Sequence, residues 1–225
     1  MMNYPKMKAA IFDMDGTLVN SLMYWNTLWE DVGRDWLGVD GFRPSEEIDK
    51  RARTMIFVDA MKMVREAYGI AATDDEFVKY ATDSLESFYR NVVTVKDGAR
   101  EFLEYLHRKG IKLCLASATD MKYVNIALDV LDLRQYFDYA MSCADIGVGK
   151  DKPDIYLLAL KSLGANAEET YIFEDSFVAI ETASSIGLNT VGVFDKYNFD
   201  HDRLRRSSMI YLGEETDMRE LIGVL

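Results

Sequence analysis

Proline is almost absent, with three residues among 225, so no proline-rich linker interrupts the chain. Cysteine is scarcer still. Cys114 and Cys143 stand alone and apart, which argues against a disulfide framework and for reduced thiols. Positive charge is in deficit: 26 lysines and arginines face 38 aspartates and glutamates, a net charge of −12. That balance argues against a nucleic-acid or anionic-membrane partner, and no basic stripe or base-stacking motif offsets it. The only basic cluster, Arg203, Arg205 and Arg206, reads as a solvated helix face. No apolar run approaches the roughly 18 residues needed to span a bilayer. The opening stretch Met1–Lys8 lacks an apolar leader segment. A cytoplasmic protein, monomeric or weakly dimeric, is expected. His107 and His201 have no partner pattern and receive no role.

The bulk composition is that of an ordinary globular protein, 49% apolar and 28% charged. The length allows one large domain or a core with a smaller insertion. A short apolar run, residues 9–12, reads as a buried strand. Further strand patterns lie at 111–117, 139–142, 170–173 and 190–194, with 209–212 as a last edge strand. Helical patterns alternate with them at 120–131, at 155–163 ending on Gly164, and at 178–186 ending on Gly187. This alternation predicts an α/β fold: a Rossmann-like three-layer core around a parallel sheet. Residues 18–92 break it. Leu22, Trp25, Trp29, Val32 and Trp36 recur at helical spacing, and helical stretches follow around 46–68 and 74–91, with no convincing strand. The expected division is a core of 1–17 and 93–225 and a helical domain of 18–92. The tryptophan stripe reads as that domain's packing core. Tyr24 and Trp25 are candidates to face a substrate, and Arg34, Arg43, Arg51 and Arg53 are candidates to grip an anionic one.

The apolar run ends in Asp13-Met14-Asp15-Gly16-Thr17. A strand end followed by a turn leaves Asp13 and Asp15 at the carboxyl edge of a sheet, where open α/β folds bind ligands. Two carboxylates there repel unless a cation lies between them or one is protonated. The pattern suits a hard metal ion and phosphoryl chemistry, with one aspartate as nucleophile and the other handling a proton. A calcium loop is excluded, because its sixth and twelfth positions from Asp13 hold Leu18 and Tyr24. A phosphate-binding P-loop around Lys150 is excluded by Ala144 and Asp151. Ser117 closes an apolar strand, as a phosphate donor would, with the Ala118 backbone N–H aimed at the same oxygens. Glu174 and Asp175 follow Tyr171-Ile172-Phe173, at a strand end beside Asp13.

Taken together, Asp13-Met-Asp-Gly-Thr17, Leu115-Ala-Ser-Ala-Thr119, Gly149-Lys-Asp-Lys-Pro-Asp-Ile-Tyr156 and Phe173-Glu-Asp-Ser176 resemble the four ordered motifs of the haloacid dehalogenase superfamily. The likeness extends to the branch with a helical cap after the first motif, that of phosphoglycolate phosphatase and β-phosphoglucomutase. It implies Asp13 as nucleophile, Asp15 as acid and base, and Ser117 with a lysine on the phosphoryl group. The lysine is Lys150 or, because the motif departs from Lys-Pro-x-Pro, Lys152. The resemblance also implies Mg²⁺ held by Asp13, the Asp15 carbonyl, Glu174 and Asp175. An acid at Asp15 points to oxygen-linked phosphate rather than to a halide or a phosphonate. The expected activity is a Mg²⁺-dependent phosphatase of a small phosphorylated metabolite, a sugar or polyol phosphate. A phosphomutase is the alternative. A non-catalytic binding module would have lost a motif residue, and none is lost.

Overall fold

A computed structural model describes residues 4–225. The chain separates into two compact units: one runs to Leu22 and resumes at Val93, and the other is Met23–Val92. The smaller unit is helical. Helix α1 (Tyr24–Val32) runs into a π-turn over Gly33–Leu37, and α2 (Glu46–Thr54), α3 (Phe57–Ala67) and α4 (Asp74–Asn91) follow. Met55 and Ile56 take extended backbone, so the helical pattern expected over 46–68 is two helices. A capping box starts α4: the Thr73 hydroxyl accepts the Glu76 N–H at 3.2 Å, and the Glu76 carboxylate accepts the Thr73 N–H at 2.8 Å. Leu28, Trp29, Val32, Met61, Val64 and Phe77 are buried in this unit.

Charge inside the helical unit is settled locally. Arg34 pairs with Asp31 and Asp35, Arg43 with Glu30, and Arg53 with Asp49. Asp49 also accepts the Trp29 indole N–H at 2.6 Å. Three of the candidate anion-gripping arginines are therefore already held by carboxylates, while Arg51 is exposed. Tyr24 is buried, its hydroxyl donating to the Ala81 carbonyl at 3.1 Å, so it serves the packing of its own unit. Trp25 is half-buried against Trp29 and Phe57, with the Arg53 guanidinium 5.6 Å from its ring.

In the larger unit the strands are β1 (Ala9–Phe12), β2 (Val19–Asn20), β3 (Thr94–Val95), β4 (Lys112–Ser117), β5 (Tyr139–Ser142), β6 (Thr170–Glu174), β7 (Asn189–Val193) and β8 (Ile210–Leu212). Six of them form one sheet in the order β5-β4-β1-β6-β7-β8, every neighbouring pair parallel. The helices are α5 (Ala99–Arg108), α6 (Met121–Val130), α7 (Cys143–Ile146), α8 (Asp154–Leu163), α9 (Phe177–Ser185) and α10 (His201–Ser207). Ala9, Ile11, Cys114, Ala116 and Ile172 pack on α8 and α9. Phe12 stacks on Phe173 at 4.3 Å, and the Phe102 ring of α5 lies 5.4 Å from Phe173. This is the three-layer α/β arrangement the alternation predicts. The remaining strands, β2 and β3, pair antiparallel. That pairing carries the larger unit's first segment to Leu22, beyond the expected boundary near residue 18. Both cysteines are free and buried, and no helix among the described residues is long and apolar enough to cross a membrane.

Candidate active site

Strand order decides where the site forms. After β1 the chain fills one side of the sheet with β4 and β5, then crosses to the other side for β6, β7 and β8. The reversal places a crevice beyond the carboxyl ends of β4, β1 and β6, where α/β sheets take their ligands. Period-two alternation then decides which groups meet there. Ile11 and Ile172 face α8 and α9, so Asp13 and Glu174, two residues further along each strand, keep that side. Register pairs Phe12 with Phe173, which sets Asp13 level with Glu174, and the Asp13 N–H continues the ladder to the Phe173 carbonyl at 3.0 Å.

Asp13, Glu174 and Asp175 are buried, with carboxylate oxygens that all lie within 4.8 Å of one another. Lys150, from the loop ahead of α8, reaches into this cluster. Its ammonium donates to an Asp13 carboxylate oxygen and to Glu174 Oε1, the latter at 2.6 Å. Glu174 Oε2 accepts the Ser176 N–H at 2.8 Å. Lys152, the alternative lysine, is exposed. Asp15 is half-buried on the turn after β1, closed by the Gly16 N–H to the Val19 carbonyl at 3.0 Å. Gly16 has φ +80°, and a Cβ there would stand 2.3 Å from Asp175 Oδ2. Glycine is required at this position on both counts. Ser117 is buried at the end of β4, its Oγ accepting the Thr119 N–H at 3.0 Å, while Ala118 beside it is exposed.

Negative charge exceeds positive charge in this cluster. Burial pushes the Asp13 carboxyl up to about 7, with Glu174 and Asp15 adding to the rise and Lys150 opposing it. Burial also holds Asp175 well above the usual carboxylate range, reinforced by Glu174 and Asp13 and opposed by Lys96. For Lys150 burial works against the charge, but Asp13 and Glu174 outweigh it and keep the ammonium protonated. Buried oxygen donors short of positive charge, with Asp175 brought close to the Asp15–Gly16 turn by the missing Cβ of Gly16, fit a hard divalent cation.

A model of the haloacid dehalogenase-like hydrolase family matches residues 7–187. A phosphorylated carbohydrates phosphatase of Thermotoga maritima is 30% identical over 97% of this chain and 100% of its own. The chain belongs to the haloacid dehalogenase-like hydrolase family. Hexitol phosphatase B of Escherichia coli K12 is 29% identical over 75% of each chain. A crystal structure from Thermotoga maritima, described provisionally as a beta-phosphoglucomutase, superposes with a TM-score of 0.78 at 28% identity, covering 97% of this chain and 98% of that one.

In this hydrolase some of the site lies outside the residues singled out from sequence. Thr119 received no role, yet its hydroxyl donates to Asp15 Oδ2 at 2.7 Å and its carbonyl accepts the Ser142 hydroxyl at 2.8 Å. Asn198 donates from Nδ2 to the Asp175 carbonyl and carboxylate at 2.9 and 2.7 Å. His201, expected to be unemployed, sits with Nε2 2.9 Å from the Asp195 carbonyl. Only Thr119 carried a sequence signal, its place two residues past the strand-end serine. Asn198 lies on the loop after β7 and His201 at the start of α10, a stretch that bears none of the four motifs.

Proposed function

We propose that this hydrolase is a Mg²⁺-dependent phosphatase of small phosphorylated carbohydrates, sugar or polyol phosphates, with the helical unit as its specificity domain. The observation that carries the reading is a pair of differently housed carboxylates on one turn. Asp13 is buried under the Lys150 ammonium, and Asp15 is half-buried and fixed by Thr119. The oxygen-only, electron-rich cluster beside them supports phosphoryl transfer, and the named activities of the Thermotoga and Escherichia relatives support the substrate class.

An Asp13 carboxylate oxygen attacks phosphorus, the bond to the sugar oxygen breaks, and Asp15 gives its proton to that leaving oxygen. An aspartyl-phosphate on Asp13 remains. Asp15, now ionised, takes a proton from a water whose oxygen attacks phosphorus, and Asp13 departs as the free carboxylate with inorganic phosphate formed. Lys150, the Ser117 hydroxyl and the Ala118 N–H hold the phosphoryl oxygens as charge spreads over them. Asp13, Glu174, Asp175 and the main-chain carbonyl of Asp15 would hold Mg²⁺, whose charge lets an anionic nucleophile meet an anionic ester.

The test is phosphate release from a panel of sugar, polyol and short-acid phosphates, with Mg²⁺ and with chelator. Chelator-sensitive release, greatest on sugar or polyol phosphates and lowered at least about a thousandfold in Asp13→Asn, is expected. Interconversion of β-glucose 1-phosphate and the 6-phosphate with a bisphosphate primer, without net release, would overturn it in favour of the mutase. The likeness to the Thermotoga structure keeps that second reading in view.

A further inference from the structure

Lys96 is a half-buried lysine that the mechanism above does not use. It directly follows β3, at the point where the chain has just re-entered the larger unit, and 15% of its side chain is exposed. An ammonium has three protons to give. Those of Lys96 go to three separate groups: the Gly16 carbonyl at 2.6 Å, the Phe194 carbonyl at 2.7 Å and Asp195 Oδ2 at 2.9 Å. Gly16 belongs to the turn that carries Asp15. Asp195 opens the turn after β7: its Oδ1 accepts the Tyr197 N–H at 2.9 Å and its carbonyl accepts the Asn198 N–H at 3.0 Å. The Asn198 side chain then donates to Asp175. Both arms end at one place, since Asp175 Oδ2 lies against the face of Gly16 that no Cβ could occupy. Lys96, Gly16, Asp175, Asn198 and Asp195 thus form a closed ring of contacts around one edge of the carboxylate cluster.

We infer that Lys96 is a positioning residue for the cation site: one ammonium holds the Asp15–Gly16 turn and the Asp195–Asn198 turn, and so presents Asp175 and the Asp15 carbonyl together. The inference rests on the metal part of the reading above but not on turnover. A surface ion pair could be removed with little consequence, whereas this lysine is largely shielded from solvent and also holds two main-chain carbonyls, one of them on the Asp15–Gly16 turn. Arginine would not reproduce it, because a planar fork cannot converge on three acceptors from one nitrogen.

The experiment compares wild type, Lys96→Met and Asp195→Asn, the last retaining an acceptor for the Tyr197 N–H in case the first fails to fold. Amide hydrogen exchange is followed on the metal-free proteins, and Mg²⁺ alone is titrated by calorimetry. Faster exchange confined to Gly16, Val19, Tyr197 and Asn198 is expected, with α5 amides unchanged. Mg²⁺ affinity should fall about 10- to 100-fold, while KM for the ester at saturating Mg²⁺ stays within about twofold. Exchange accelerated evenly across β6, β7 and α5 would make Lys96 a general stabiliser and overturn the inference. Unchanged Mg²⁺ affinity in both variants, or a wild type that takes up no Mg²⁺, would overturn it as well. A wild type that binds Mg²⁺ with the expected losses in the variants, yet hydrolyses no ester, would sink the phosphatase reading and leave Lys96 in its role.

Discussion

The two units treat charge in opposite ways. In the helical unit several cations pair with a carboxylate close by in sequence: Lys50 with Glu46, Arg53 with Asp49, Lys79 with Asp83, Arg90 with Glu86. Each is a single helical turn from its partner, and such pairs contribute only about 0.3–0.5 kcal/mol each. In the larger unit, Asp13, Glu174 and Asp175 are buried together, and the Lys150 ammonium donates to the first two while Asp175 accepts from the neutral Asn198 amide. Buried carboxylates with too few cations destabilise a fold unless something supplies the missing charge. The difference separates locally paired surface charge from a buried carboxylate cluster short of cations.

The sharpest way to break that comparison uses two glycines with similar backbone. Gly16 and Gly38 both have positive φ, +80° and +66°. A methyl group at Gly38 meets nothing within 4 Å, whereas at Gly16 it would stand 2.3 Å from Asp175 Oδ2. Gly38→Ala should cost only the left-handed strain, about 1–2 kcal/mol, and leave turnover unchanged. Gly16→Ala carries the same strain and displaces a carboxylate of the cluster, so phosphate release should fall about a hundredfold. Equal losses in both variants would mean that glycine matters at residue 16 for backbone alone.

Next in size is the response to pH and Mg²⁺. Asp13 is held up at about 7 by burial, above its model-peptide value of 3.8. Between those two values the folded state binds more protons than the unfolded chain, so unfolding free energy falls as pH rises through that window and levels off above it. Metal-free protein should therefore melt at higher temperature at pH 5 than at pH 8. Mg²⁺ binds the ionised cluster, so its stabilisation should grow with pH. At a hundredfold excess over Kd that amounts to about 2.7 kcal/mol, or about 5–10 °C for a chain of this size. Thermal melts across pH, with Mg²⁺ and with chelator, check it. A melting temperature that climbs from pH 5 to 8 without metal would show that the cluster is not short of positive charge.

A smaller effect belongs to Thr119→Val, which keeps the shape and removes the hydrogen bond to Asp15 Oδ2. One such bond to a charged group is worth about 1.5–3 kcal/mol at most, so kcat should drop about tenfold or somewhat more with KM nearly constant. A rise in KM alone would make Thr119 a substrate contact instead of a holder of Asp15.

What the sequence reveals about the site follows the same division. Asp13, Asp15, Ser117, Lys150, Glu174 and Asp175 are legible because each sits at or just beyond an apolar strand or in a recognisable segment, and strand ends have few places to point. Lys96, Asp195 and Asn198 are not, because their partners lie across the sheet and no local pattern marks them. The β2–β3 pair escapes notice for a different reason: two residues are too few to show alternation. In the helical unit the tryptophan period locates α1, but the break at Met55 and Ile56 has no glycine or proline to announce it. Arg34 and Arg53 look free in sequence because ion-pair partners three or four residues away are ordinary helix composition, and Arg43 because its partner Glu30 lies thirteen residues back.

The smallest predicted effect is the control that gives the others their meaning. Lys79 and Asp83 form an i,i+4 pair at 2.5 Å on α4, with 73% and 64% of their side chains exposed. Lys79→Ala should lower stability by no more than about 0.5 kcal/mol, a shift of about 1–2 °C, and the shift should vanish at high salt. Alanine is also the better helix former, which opposes even that loss. Turnover and Mg²⁺ affinity should not change. If removing this pair altered the Mg²⁺ response, charge would be coupled between the units, and the contrast between locally settled and site-reserved charge would fail at its least demanding point.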